Sequence, residues 1–128
     1  MPLDVKHSTV WEDSLEIAST VFWTPKLQNT FKSVNGYDID KYVMLLTYNN
    51  GLGFGTNYPL QIVTDAGDKG QGYVEDYRSA LTVSMQSYYK AITDWSKSYL
   101  GVESSAQVGY NIPVDMVSQT YMFTSFRC

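Results

Sequence analysis

The stretch that most constrains this chain is "YVEDYRSALTVSMQSYYKAITDWSKSYLG", Tyr73 to Gly101. Within it Val74, Tyr77, Leu81, Met85, Tyr88, Ile92, Trp95 and Tyr99 step by three or four residues. That is the period at which side chains return to one face of an α-helix. The stripe predicts a helix of about seven turns, stopped by Gly101 because glycine accepts the left-handed backbone that ends helices. Its function is core packing, since this period buries one helical face. A helix of this length needs partners along the whole of it.

Candidate partners lie on both sides. In "WTPKLQNTFKSVNG" Thr24 reads as an N-cap, Pro25 as the first helical residue and Gly36 as the stop, with Leu27, Phe31 and Val34 at helical spacing. In "YDIDKYVMLLTY" Asp38 reads as the cap of a second, short helix carrying Ile39, Tyr42, Val43 and Leu46 on one face. The two are expected to pack as a pair. "HSTVW", His7 to Trp11, and "SAQVGYNIP", with Ala106 to Tyr110 as its strand and Pro113 as its end, read as two strands. Strand, helices, strand is the order of a parallel arrangement, although more lies between the strands than one simple crossover. Residues 49–72 are glycine-rich and too long for an ordinary connection, so they read as a substrate-side loop or a locally disordered segment. "GLGFG" within them lacks the spacing and the Lys of a phosphate-cradling loop. Residues 117–128 follow neither period and read as an irregular tail.

Charge and rare residues remove whole classes of function. A length of 128 residues suits one domain, and 44% hydrophobic with 17% charged residues is a globular composition. A net charge of -4 argues against nucleic acid and against anionic lipid, because either partner needs a basic stripe. The lone Cys128 forms no internal disulfide, and the lone His7 leaves zinc short of ligands and a serine triad without its elbow motif. No apolar run approaches the roughly 20 residues of a membrane span, and "MPLDVKHSTV" encodes no signal peptide.

Directly after the first strand comes "WEDSLEI", Trp11 to Ile17, with Glu12, Asp13 and Glu16 in five positions. It is either a solvated turn or the acidic end of a strand aimed at a substrate. The eleven tyrosines suit sugar-binding clefts and ordinary cores alike.

Three pieces in order carry a resemblance. They are Asp13 to Glu16 at a strand end; Trp23 to Pro25, then Phe31 and Gly36 to Asp38; and Asp76 to Arg78, then Gln107 and Tyr110. Together, over Trp11 to Met116, they resemble the catalytic-domain segment of large glycoside hydrolases of the α-L-rhamnosidase type, with secreted fungal and bacterial members. The resemblance implies an α/β fold, a fragment of a (β/α)8 TIM-type barrel with about two to three β/α units, whose chemistry sits at the C-terminal strand ends. It implies secretion, a carbohydrate substrate cleaved by an inverting pair of carboxylates, no cofactor in this segment, and calcium in the full-length family.

Carried over, Glu16 is the general acid, against the plainer reading of a solvated strand-end acid. Asp13, three residues earlier, faces away from it and binds substrate or, on the plainer reading, caps or braces the turn. Gln107 and Tyr110 meet sugar hydroxyls or are satisfied in the core. Asp115 binds a hydroxyl or a cation, or is a turn acid. Trp23 stacks on a sugar face or staples the helix that follows. No second glutamate stands in a matching motif, since Glu12, Glu75 and Glu103 fall elsewhere, so turnover by this chain alone is expected to be negligible. Two other readings stand beside this one: a non-catalytic carbohydrate-binding module, and a small interaction protein that self-associates through exposed barrel edges.

Overall fold

The longest described element is a 25-residue helix, here called α3, Gln71–Trp95. The computed structural model describes residues 8–17, 19, 21–48, 62–107 and 112–115. In chain order these form strand β1 (Thr9–Glu12), helix α1 (Leu27–Asn35), a 3-10 turn (Ile39–Tyr42), helix α2 (Val43–Tyr48), α3, a π-helical turn (Ser96–Leu100) and strand β2 (Glu103–Ala106). His7, Tyr110, residues 49–61 of the glycine-rich stretch and the 117–128 tail lie outside the described residues.

The glycine-rich stretch ends by starting α3. Asp68 accepts the Gly70 N–H at 3.0 Å and the Gly72 N–H at 2.8 Å, satisfying donors that a helix start leaves orphaned. Gly70 has φ +96°, and a Cβ there would lie 2.9 Å from Leu45 Cδ1. Its lack of a side chain therefore serves both the turn and the close approach of α2. At the other end Gly101, with φ +66°, closes the helix where the sequence places its stop.

The stripe on α3 holds only through its first half. Val74, Tyr77 and Leu81 are buried with Leu27 and Phe31 of α1 and Ile39, Leu45 and Leu46 of the next two elements. Beyond Met85 the buried face turns to Tyr89, Thr93 and Ser96, while Trp95 is 48% and Tyr99 79% exposed. The cause is the sheet. Thr93 and Ser104 share a buried hydroxyl–hydroxyl bond of 2.8 Å, and Ser96 Oγ donates to the Thr93 carbonyl at 3.0 Å. Small, mutually satisfied hydroxyls let β2 approach the helix more closely than Trp95 or Tyr99 would allow. The π turn widens the last turn and takes the helix out of its 3.6-residue phase.

Helix α1 begins later than the Thr24 cap predicts. Thr24 to Lys26 form a turn in which the Leu27 N–H bonds the Thr24 carbonyl at 3.0 Å, and Lys26 takes the cap position with no side-chain bond. Gly36, at φ +81°, stops it as expected. Asp38 does not cap by its side chain either; it forms an ion pair with Lys32 at 2.9 Å. The expected pairing of α1 with the next helix is secondary, because α1 packs chiefly on α3. Two residues of the resemblance motifs brace that contact: Tyr37 donates to Asp76 Oδ2 at 2.7 Å. Tyr37 also meets the Phe31 ring edge-on at 5.0 Å.

Strands β1 and β2 are parallel, with Thr9 opposite Glu103 and Glu12 opposite Ala106. The second strand thus ends where Ala106 to Tyr110 was expected to begin. The ladder runs one step further through the Gln107 N–H to the Glu12 carbonyl at 3.0 Å. One crossover carrying three helices and a two-stranded parallel sheet is the α/β architecture of the described residues. No described helix is long and apolar enough to cross a membrane.

Candidate functional site

Parallel pairing sets the C-terminal ends of the two strands side by side, so the acidic cluster and Gln107 share one rim. At that rim Glu12 points toward α3 and its Oε1 accepts the Tyr88 hydroxyl at 2.7 Å. This bond, aided by burial, pushes the Tyr88 phenol up to about 12. Asp13 turns back on the adjacent backbone, accepting the Ser14 N–H at 2.8 Å. Glu16 sits at the apex of a three-residue turn closed by the Ile17 N–H and the Leu15 carbonyl at 2.9 Å. Its carboxylate is exposed, with a long 3.4 Å bond from Ser14 Oγ.

The turn sends Leu15 and Ile17 into an apolar groove of about 290 Å³ shared with Phe22, Trp23, Leu81 and Met85. Trp23, 45% exposed, forms part of the groove wall. On the other side of residues 112–115 lies an open cleft of about 620 Å³. Ile112 lines the groove, whereas Pro113, Val114 and Asp115 line the cleft. Thr82 holds this segment to the helix, accepting the Asp115 N–H at 2.9 Å and donating to the Arg78 carbonyl at 2.9 Å. Arg78 in turn pairs with Glu75 at 2.6 Å.

The structure therefore distributes the predicted residues over three neighbouring places. Glu16, Asp13 and Gln107 are on the rim, Trp23 in the groove and Asp115 in the cleft. Gln107 is exposed and just past β2, so the expectation of a buried strand amide is corrected: the strand ends earlier, and the side chain meets solvent. Glu12, Arg78, Thr82 and Gln86 were not singled out for the site. Their signal was present for α3, since Glu75, Arg78, Thr82 and Gln86 recur at three- and four-residue steps and so share a helical face.

Among the described residues no three His, Cys, Asp or Glu side chains are grouped to hold a metal ion. Compared with known proteins, the chain matches no family model, no curated protein and no solved structure.

Proposed function

We propose that this protein is a carbohydrate-recognising unit of glycoside-hydrolase type that binds an α-L-rhamnosyl-like sugar in the Trp23 groove, with Glu16 of the adjoining turn as its acid and without turnover on its own. The observation that carries the reading is the tight turn at Glu16, whose flanking residues Leu15 and Ile17 line the same groove as Trp23 while Glu16 itself is exposed. An apolar groove with an aromatic wall accepts the C–H face of a 6-deoxy sugar, while one convergent polar group orients it. Hydrolysis needs a second carboxyl group across the bond, about 5 to 9.5 Å from the first, and none of the described groove-lining residues is acidic.

Titration with L-rhamnose should quench tryptophan fluorescence saturably, and Trp23→Phe should abolish the quench; a flat titration of the unaltered chain would remove the reading. With 4-nitrophenyl α-L-rhamnopyranoside the chain should release no nitrophenol above the uncatalysed rate. Release that survives Glu16→Gln would strip Glu16 of its assigned role.

A second reading, a partner-binding protein whose first partner is another copy of itself, is favoured by one observation. The described sheet has only two strands, and Trp11 on β1 is 54% exposed, whereas parallel sheets are ordinarily covered on both faces.

A further inference from the structure

We propose that the second half of α3 pairs, antiparallel, with the same face of a second copy of the chain through Tyr88, Ile92, Trp95 and Tyr99. The inference is independent of the sugar reading of the Trp23 groove, and it gives self-association a surface other than the strand edges.

These four residues are the part of the helical stripe that the fold leaves uncovered. Tyr88 is 38%, Trp95 48% and Tyr99 79% exposed, and Ile92 among them is half-buried. Trp95 and Tyr99 stack at 6.4 Å, so the π-helical turn keeps Tyr99 on this face. Steps of four, three and four residues are the seam spacing of paired helices. Ala91 and Ser98 stand three or four residues from Tyr88 and Trp95 and are exposed on the flank of the seam, where their small side chains let a second helix come close.

Charge and symmetry select the occupant. Between Tyr88 and Leu100 the charged residues are Lys90, Asp94 and Lys97. Each stands one, two or five residues from Ile92 and Trp95, spacings that place it away from the seam. A chain of net charge -4 is repelled by its own kind, and an uncharged seam lets two copies meet without bringing these charges together. Glu12 reaches the seam at its Tyr88 end, and an antiparallel pair keeps the two copies of Glu12 at opposite ends. The spacing also reads the same in both directions. A two-fold axis between Ile92 and Trp95 therefore sets Ile92 against Trp95 of the second copy and Tyr88 against Tyr99, as a self-complementary interface requires.

Area sets the strength. With about 150 to 250 Å² to each aromatic side chain, the exposed parts of the three rings supply about 350 Å² per copy and about 700 Å² per pair before the flanks are counted. Interfaces below about 1,200 Å² are weak or transient, so the dimer is a reversible one.

The test is sedimentation velocity on the full chain with substitutions at exposed positions. Trp11 and Glu12 point to opposite sides of β1, and Glu12 is the one that meets Tyr88. Trp11→Lys thus places its charge on the face of β1 away from this seam. The dimers that remain in Trp11→Lys should dissociate about ten-fold more readily, a factor worth about 1.4 kcal/mol, once Tyr99→Glu is added, with helicity by circular dichroism unchanged. Lys97→Ala, off the seam, should leave them as they were. Antiparallel order is read by mixing chains carrying Tyr88→Cys with chains carrying Tyr99→Cys, all with Cys128→Ser: disulfides should join the two kinds and not either kind to itself. Dimers abolished by Trp11→Lys alone and indifferent to Tyr99→Glu would overturn the α3 seam and leave strand pairing standing. Disulfides within each kind would overturn the antiparallel arrangement. A monomer at every concentration would overturn both modes of self-association while leaving the sugar titration of Trp23 to stand or fall by itself.

Discussion

Tyr77 is fully buried in the α1–α3 core, yet its hydroxyl is satisfied twice, donating to the Phe22 carbonyl at 2.6 Å and accepting the Phe22 N–H at 2.9 Å. One side chain thereby fastens the strand-to-α1 connection, which also carries Trp23, to the long helix. Tyr77→Phe keeps the ring but orphans two backbone groups at once, so urea denaturation should show a loss of about 1 to 3 kcal/mol. A change below about 0.5 kcal/mol, the usual size for a surface substitution, would mean that water replaces the lost partner. The tyrosines also set the alkaline limit of the fold. Burial pushes Tyr77 up to about 12, and the Glu12 bond does the same for Tyr88, both from an ordinary 10.0; Tyr37 and Tyr73 move in the same direction. A phenol that ionises less readily when folded lends stability that is complete below the unfolded value and is lost as pH rises through the folded one. Melting temperatures should therefore hold steady up to about pH 10 and fall between about pH 10 and 12. Constant melting temperatures across that window would contradict the assignment. At this scale the text of the sequence was only partly legible. The period of α3 marked Tyr77 as a core residue, but its bond to Phe22 spans 55 residues and no local pattern encodes it.

Helix stops were readable, helix starts and helix faces less so. Gly36 and Gly101 stop their helices as anticipated because both adopt positive φ, which other residues adopt only at a cost. Two glycines with the same backbone demand but different surroundings make a test. A Cβ at Gly36 meets nothing within 4 Å, whereas one at Gly70 meets Leu45 at 2.9 Å. Gly36→Ala should cost the left-handed backbone penalty alone, about 1 to 2 kcal/mol. Gly70→Ala should cost more by the strain of moving Leu45, and overpacking of this kind adds about 1 to 3 kcal/mol. Equal losses in matched thermal melts would show that α2 yields freely at that point. The stripe on α3 misled in its second half because apolarity alone was counted. Trp95 and Tyr99 have the right period and stack on each other at 6.4 Å, but they do so in solvent. The partner there is a strand whose inward residues are Ser104 and Ala106, and small hydroxylated residues on the helix match it better than large rings.

At the scale of the whole molecule the outstanding feature is a parallel pair with no further strand among the described residues. Among the described residues neither strand is paired on its outer edge, and such an edge is a template for another strand. Sedimentation velocity should accordingly show reversible dimers at high concentration, weakened by Trp11→Lys, which places a charge on exposed β1; a monomer at every concentration would remove the self-association reading. By itself the sequence determined that a long helix ends at Gly101, that a strand precedes the acidic cluster, and that α1 buries Leu27 and Phe31, because each depends on spacing or backbone preference within a few residues. Tertiary structure alone decided which face of α3 meets the sheet, where β2 ends, and that Arg78, Gln86 and Asp115 line one cleft. Those outcomes depend on groups brought together from distant parts of the chain, where complementary shape and paired hydrogen bonds, rather than local period, select the arrangement.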